Sequence, residues 1–276
     1  MGDSVNWALI LGGSSGLGLA TAQKLASEGF NLILVHRDRR ANMPSVQEAF
    51  QGIVSNRAIV HSFNKDAIDA AGRKEIMEEI KSLLGAVKIS VLVHSIAKGN
   101  VKPMWNGQEG TLSNRDFQLT MEAMALSLYD WVKALQQTQL FSQDARVIAF
   151  TSEGSTRAWK NYAAVGAAKA ALEAIVRNVA LEFAQFGIKA NCIQAGVTDT
   201  PSLRLIPNNE KLIEEKWINY ERDLLHPDLK EFKKPIHTIE TNKFIVRIDQ
   251  LENNDYRYAS WSINSDISNK PDLVIN

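Results

Sequence analysis

Residues 7–20 read WALILGGSSGLGLA, and the fold turns on how this stretch is parsed. Trp7 to Leu11 is a short apolar run that ends on a glycine pair, the mark of a buried strand. Helical patterning follows at once as LGLATAQKLASEG, with Ala20, Leu25 and Ala26 on the face turned to a sheet. Between them Gly12, Gly16 and Gly18 keep the spacing GxxxGxG. The first glycine allows the tight strand-to-helix turn, and the other two let backbone approach a pyrophosphate and the helix pack closely. The helix N-terminus adds free amides and partial positive charge for the phosphates. Ser14, Ser15 and Leu17 fill the loop and join the three glycines as cofactor-binding candidates.

The same alternation continues outward from this loop. NLILVH, AIVHSF, ISVLVHSIA, RVIAFTS and KANCIQAG read as strands. The segments MPSVQEAFQGIVS, DAAGRKEIMEEIKSLLG, DFQLTMEAMALSLYDWVKALQQ and NYAAVGAAKAALEAIVRNVALEFAQFG read as helices. Continuous apolar strands separated by helices predict a parallel sheet covered on both faces, an α/β doubly wound fold of Rossmann type. The pattern then stops. All 16 glycines lie at or before Gly196, and Ala259 is the single alanine of the last 76 residues, against 29 in the first 200. KFIVRID (243–249) alternates, NND (253–255) is turn chemistry and YRYASWSI (256–263) returns, an antiparallel hairpin pattern. The chain is therefore divided into a dinucleotide-binding domain, residues 1–216, and an atypical hairpin-rich segment of separate origin, residues 217–276.

Composition excludes several classes. The 31 basic and 31 acidic residues cancel, so no global field favours nucleic acid or an anionic membrane. One cysteine, Cys192, rules out an intramolecular disulfide framework and reads as a small core residue in a reducing compartment. The start MGDSVNWALILGG has too short an apolar part for a signal peptide and fits a myristoylation pattern badly. No run of about 18 apolar residues predicts a membrane span. A cytoplasmic protein without a metal site is expected.

The second strand ends in VHRDRR. A carboxylate at such a strand end accepts the adenosine ribose hydroxyls of NAD. Here His36 and Arg37 come first, with Arg39 and Arg40 behind them. Cations suit a 2′-phosphate, so NADPH is favoured over NADH. The other reading makes this a solvated basic turn with Asp38 serving the ribose.

The phosphate loop, a serine-bearing fifth strand and a helix carrying Tyr162 and Lys169 resemble the short-chain dehydrogenase/reductase superfamily over residues 7 to about 215. Within it the chain is similar to enoyl-acyl-carrier-protein reductases. That branch separates tyrosine and lysine by six residues, as Tyr162-Ala-Ala-Val-Gly-Ala-Ala-Lys169 does. It also carries a segment like His94-Ser95-Ile96-Ala97 after the fourth strand. Seven residues are two helical turns, so Tyr162 and Lys169 share a face. The phenol stands one turn before the usual position, held here by Val165. That suits conjugate reduction, in which hydride goes to the β-carbon while charge develops on the thioester oxygen.

The resemblance implies Tyr162 as the hydrogen-bond donor to that oxygen, Lys169 as holder of the nicotinamide ribose and Ser152 as a second carbonyl donor. The family's tyrosine ten residues before the catalytic one is replaced by Ser152, which lies where ordinary members keep their serine. Met124 stands near the place of the relay asparagine of ordinary members. By the same resemblance Asn64 falls beside the adenine, and Ser95, Ile96 and Ala97 line the cofactor channel. Val197, Thr198 and Thr200 would contact the nicotinamide carboxamide, and Met104, Trp105 and Trp159 would wall an acyl pocket. It further implies an enoyl thioester of acyl carrier protein or CoA as substrate and a homo-oligomer, tetramer or dimer. The closing Asp-Gly-Gly of the family is absent, with DLVIN (272–276) as a stand-in for its last strand. Two alternatives stay open: a carbonyl or 3-oxoacyl reductase, or a catalytically impaired nucleotide-binding chimera.

Overall fold

The computed structural model describes residues 6–54, 58–207 and 209–210, and the backbone strands 234–240, 244–250, 256–262 and 273–275. It divides into two units, residues 1–207 and 208–276. The boundary read from composition, at 216/217, lies outside the described residues.

The first unit carries a six-stranded parallel sheet in the order β3-β2-β1-β4-β5-β6. Its strands are β1 (Trp7–Leu11), β2 (Asn31–His36), β3 (Val60–Asn64), β4 (Ile89–His94), β5 (Phe141–Thr151) and β6 (Lys189–Gln194). Helices α1 (Gly16–Ser27), α2 (Met43–Val54), α3 (Ala70–Leu84), α4 (Asn114–Met121), α5 (Ser127–Gln137) and α6 (Ala163–Glu182) make the crossovers. Each central strand is buried on both faces because its alternate residues feed two cores. Leu9, Leu11, Ile33 and Val35 join the core under α3, α5 and α6. Ala8, Ile10, Leu32 and Leu34 join the one under α1 and α2. This is the doubly wound architecture the apolar runs predict.

Two details bear on the site, and the first departs from the sequence reading. The long helix expected over 116–137 is broken at Glu122–Leu126 by a π turn that separates α4 from α5. Ala123, Met124 and Ala125 in that turn are buried, so the apolar pattern runs on unbroken while the hydrogen-bond register shifts. Such turns concentrate at functional sites. The loop after β3 is tied to α5 by Trp131, whose Nε1 donates to the Ala67 carbonyl at 2.8 Å. Trp131 is fully buried, so this bond fixes the path of the loop that follows β3.

The second unit is a four-stranded antiparallel sheet in the order β10-β9-β8-β7. Its strands are β7 (Lys234–Glu240), β8 (Phe244–Gln250), β9 (Tyr256–Ser262) and β10 (Leu273–Ile275). The hairpin expected over 243–263 is present, with Phe244 opposite Ser262 and Gln250 opposite Tyr256. DLVIN is not a last parallel strand. Its Leu273–Ile275 pairs antiparallel with β9, and among the described residues the parallel sheet ends at β6. No helix among the described residues is long and apolar enough to cross a membrane.

Candidate active site

The carboxyl ends of the parallel strands bring together most of the residues singled out above, beginning with the phosphate loop. Gly12 adopts φ +82°, and a Cβ there would stand 2.6 Å from the Ser95 carbonyl oxygen. A Cβ on Gly18 would overlap the Gly12 carbonyl, and one on Gly16 (φ +53°) would sit 3.4 Å from Thr200 Cγ2. The loop after β1, the start of the segment after β4 and the threonine loop after β6 thus close on one another. Ser15 occupies the N-cap of α1 without a side-chain bond to the first turn, so those amides are open to an anion. A cradle from which side chains are excluded, in front of a helix N-terminus, fits a pyrophosphate.

Around the cradle, Ser95 N donates to the Leu11 carbonyl at 2.8 Å, and Ile96 packs against two of the hydrophobic cores. Ala97 is exposed and Val197 half-buried. Thr198 Oγ1 donates to the Gly196 carbonyl at 2.9 Å, while Thr200 Oγ1 accepts from Leu203 N at 3.2 Å. Ser14 and Leu17 lie in the loop and first turn as expected.

At the adenosine end the strand parity matters. His36, read as a cation facing a phosphate, is buried at 3 % exposure. Its Nδ1 pairs with Asp38 Oδ2 at 2.9 Å, and its ring meets Phe50 edge-on at 5.4 Å between centroids. Its Nε2 has no partner among the described residues. Arg37, the next residue, points out at 65 % side-chain exposure against 18 % for Asp38. Asn64, at the end of β3, clamps Asp38 from both sides. Its Oδ1 accepts from Asp38 N at 2.9 Å and its Nδ2 donates to the Asp38 carbonyl at 3.1 Å. Asn64 therefore positions the β2 turn.

The catalytic candidates converge between β5 and α6. Tyr162 is the N-cap residue of α6, and its hydroxyl donates to Ser152 Oγ at 3.1 Å. Ser152 also accepts from Gly154 N at 3.2 Å, so it both ends the strand and meets the phenol. Gly154 lies flat under the tyrosine ring, where a Cβ would come within 2.6 Å of Cδ1. Trp159 packs against the same ring, tilted, at 5.1 Å between ring centroids. Burial raises the Tyr162 pKa, and the Ser152 bond offsets this in part. The phenol is therefore a neutral donor at physiological pH.

Lys169, two turns along the helix, is buried and donates to the Phe150 carbonyl at 2.6 Å. Burial lowers its pKa from 10.5 to about 8, with Cys192 and Glu173 opposing the drop. Val165, in the usual tyrosine place, is buried beside Met124 and Tyr162. Met104 and Trp105, two of the three residues expected to wall an acyl pocket, stand out at 65 % and 81 % exposure, while Trp159 meets the Tyr162 ring.

His94 was legible only as part of a segment, and the structure gives it a position of its own. It is fully buried, with Nε2 2.8 Å from Ser127 Oγ, which itself donates to the Ala123 carbonyl in the π turn. With the hydroxyl proton spent there, Ser127 accepts from a protonated Nε2. Burial first, then the positive charge of Lys169, pushes the His94 pKa down to about 3. His94 is thus a neutral strut linking β4 to the π turn.

Comparison with known proteins places this geometry. The family profile described as "Enoyl-(Acyl carrier protein) reductase" matches residues 12–223. A 1-cyclohexenylcarbonyl-CoA reductase of Streptomyces collinus is 27% identical over 203 residues, covering 74% of this chain and 68% of that protein. A tropinone reductase homolog of Arabidopsis thaliana is 25% identical over 198 residues, 71% of this chain and 70% of its own. An enoyl-(acyl-carrier-protein) reductase of Anaplasma phagocytophilum, solved with NAD, superposes with a TM-score of 0.61 at 16% identity, covering 79% of this chain and 76% of its own.

Proposed function

We propose that this chain, which belongs to the short-chain dehydrogenase/reductase family of enoyl-(acyl carrier protein) reductase type, reduces the trans-2 double bond of an enoyl thioester with NADPH. The observation that carries the proposal is the displaced phenol. Tyr162 stands at the first turn of α6 and Val165 fills the place nearer Lys169. Hydride to a β-carbon leaves developing charge on an oxygen three atoms away, two further than in reduction of a ketone, and a donor set back by one turn suits that separation. Relatives give mixed support, since a cyclohexenylcarbonyl-CoA reductase and a tropinone reductase homolog match about equally.

A bound reduced nicotinamide would supply the hydride, held by the glycine cradle and the α1 amides. The chain's own groups manage charge. Tyr162 donates its hydroxyl to the thioester carbonyl oxygen as that oxygen becomes anionic, and its raised pKa keeps the proton in place until then. Ser152, 3.1 Å from the phenol, is within reach of the same oxygen. Lys169 supplies a positive charge behind both. Arg37, an exposed cation at the β2 turn, supports NADPH, and the Asp38 carboxylate beside it is engaged by His36.

The Ser152–Tyr162 contact favours one alternative, a carbonyl reductase in which both hydroxyls grip a ketone. Product analysis separates them. Incubation with NADPH and either crotonyl or acetoacetyl thioester should yield butyryl thioester from the first and little 3-hydroxybutyryl thioester from the second. The opposite preference would replace the enoyl reading with the carbonyl one.

The Lys169 charge also fixes a pH dependence. Its pKa is depressed, so the ammonium is present below about 8 and lost as pH rises through that value. For the free enzyme kcat/KM should be level near neutrality and fall about tenfold per unit on the alkaline side. A limb starting above 10, the ordinary tyrosine value, that persists in Lys169→Met would assign the titration to Tyr162 and remove Lys169 from the charge balance.

A further inference from the structure

Three charged residues leave the carboxyl ends of three strands and meet at one oxygen. Arg37, just past β2, places Nη1 2.6 Å from Asp66 Oδ2. Lys98, beyond β4, places Nζ 3.9 Å from the same oxygen. Asp66 itself follows β3, and its carboxylate is held in place because Oδ1 accepts from Ile68 N at 3.0 Å. The backbone beside it is pinned by the bond from the buried Trp131 to the Ala67 carbonyl. Arg37 is held from the other side, since Asn64 clamps the adjacent Asp38. Both cations keep more than half of their side-chain surface exposed, at 65% and 58%, while Asp66 keeps 29%.

In an open α/β sheet the adenosine of a dinucleotide lies outside the carboxyl ends of the strands around the first βα turn. Any 2′-phosphate there must find its cations at the β2 turn, where Arg37, Arg39 and Arg40 are exposed, and Arg37, the first of them, already carries a carboxylate.

From this arrangement we infer that Asp66 is a specificity-determining residue, an internal anion that holds Arg37 and Lys98 where a 2′-phosphate would take them. The inference rests on the reading of Arg37 as the 2′-phosphate partner. Binding of NADPH then requires the Asp66 carboxylate to yield its cations to phosphate, whereas NADH leaves the ion pairs intact. Asp66 therefore narrows the preference for the phosphorylated cofactor. Surface pairs of this kind contribute modestly, and a carboxylate within a few ångströms of a phosphate dianion adds repulsion of similar size.

The test is a binding measurement that needs no turnover, by calorimetric titration of 2′-phospho-ADP-ribose and ADP-ribose at low salt. Asp66→Asn keeps a carbonyl for the Ile68 amide and removes the charge. It should tighten the phosphorylated ligand roughly five- to tenfold and leave the other within twofold. The gain should shrink towards nothing near 1 M salt, where the screening length is about 3 Å. It should also shrink when Arg37→Gln is combined with it, leaving only the share owed to Lys98 and to relieved repulsion. Equal weakening of both ligands would make Asp66 a purely structural residue and overturn the proposal. If Arg37→Gln alone weakens the phosphorylated ligand but Asp66→Asn does not strengthen it, Asp66 has no part in selection and the reading of Arg37 stands. If Arg37→Gln leaves both ligands unchanged, the 2′-phosphate reading and the role of Asp66 fall together.

Discussion

Replacing Tyr162 by phenylalanine should lower kcat/KM for an enoyl thioester by roughly 100- to 1000-fold, the usual loss when one donor to a developing oxyanion is removed. The change deletes a single oxygen. The ring keeps its contacts with Gly154 and Trp159, and the hydrogen bond lost to Ser152 costs about 1 kcal/mol of stability. Cofactor affinity should move by no more than about twofold, because the nucleotide cradle lies on other elements; tight NADPH binding with lost turnover is the expected signature. The companion variant Ser152→Ala orders the two mechanisms. In conjugate reduction Tyr162 dominates and the serine contributes a smaller factor. In carbonyl reduction, with both hydroxyls on one oxygen, the two losses are comparable. Turnover within threefold of the parent in Tyr162→Phe would mean that the phenol is not the donor, and the enoyl reading would lose its main support.

Why the pairing of Tyr162 with Lys169 is legible in the sequence while the burial of His36 and the π turn are not is a matter of range. Two helical turns fix the relation of Tyr162 to Lys169 without any tertiary information. The glycine spacing likewise carries its own turn geometry, and β2 runs over the residues its apolar stretch marks out. The burial of His36 is hidden for the opposite reason. A strand buried on both faces has no polar alternation, so nothing local says that His36 points inward to Phe50 and Arg37 outward. The π turn leaves the apolar pattern of the helix intact and is visible only in its hydrogen bonds. The Arg37–Asp66 pair depends on the register of β2 against β3, in which His36 faces Asn64. No single segment contains that register. In the second unit, β7 includes Pro235 and a register shift against β8, which hid a strand beside a hairpin that strict alternation made plain.

A methyl group added at Gly12 should be as damaging to cofactor binding as loss of the phenol is to chemistry, and the comparison with Gly29 shows why. Both glycines have left-handed backbone, with φ +82° and +83°. Either substitution by alanine therefore costs about 1–2 kcal/mol in backbone conformation alone. Around Gly29 nothing lies within 4 Å of the added carbon, whereas at Gly12 it meets the Ser95 carbonyl oxygen at 2.6 Å and its carbon at 2.9 Å. Both obstacles are backbone, so neither can swing aside. Relief requires the loop after β1 to part from the segment after β4, which also opens the Gly12–Gly18 contact that seats α1 behind the phosphates. Gly12→Ala should then weaken NADPH at least about 100-fold, a loss of about 3 kcal/mol of binding, while Gly29→Ala loses only the conformational share of stability and binds normally. Thermal melts and cofactor titrations on the two variants read the two effects separately. Equal binding by both would show that the cradle tolerates a side chain and that the pyrophosphate does not rest against this turn.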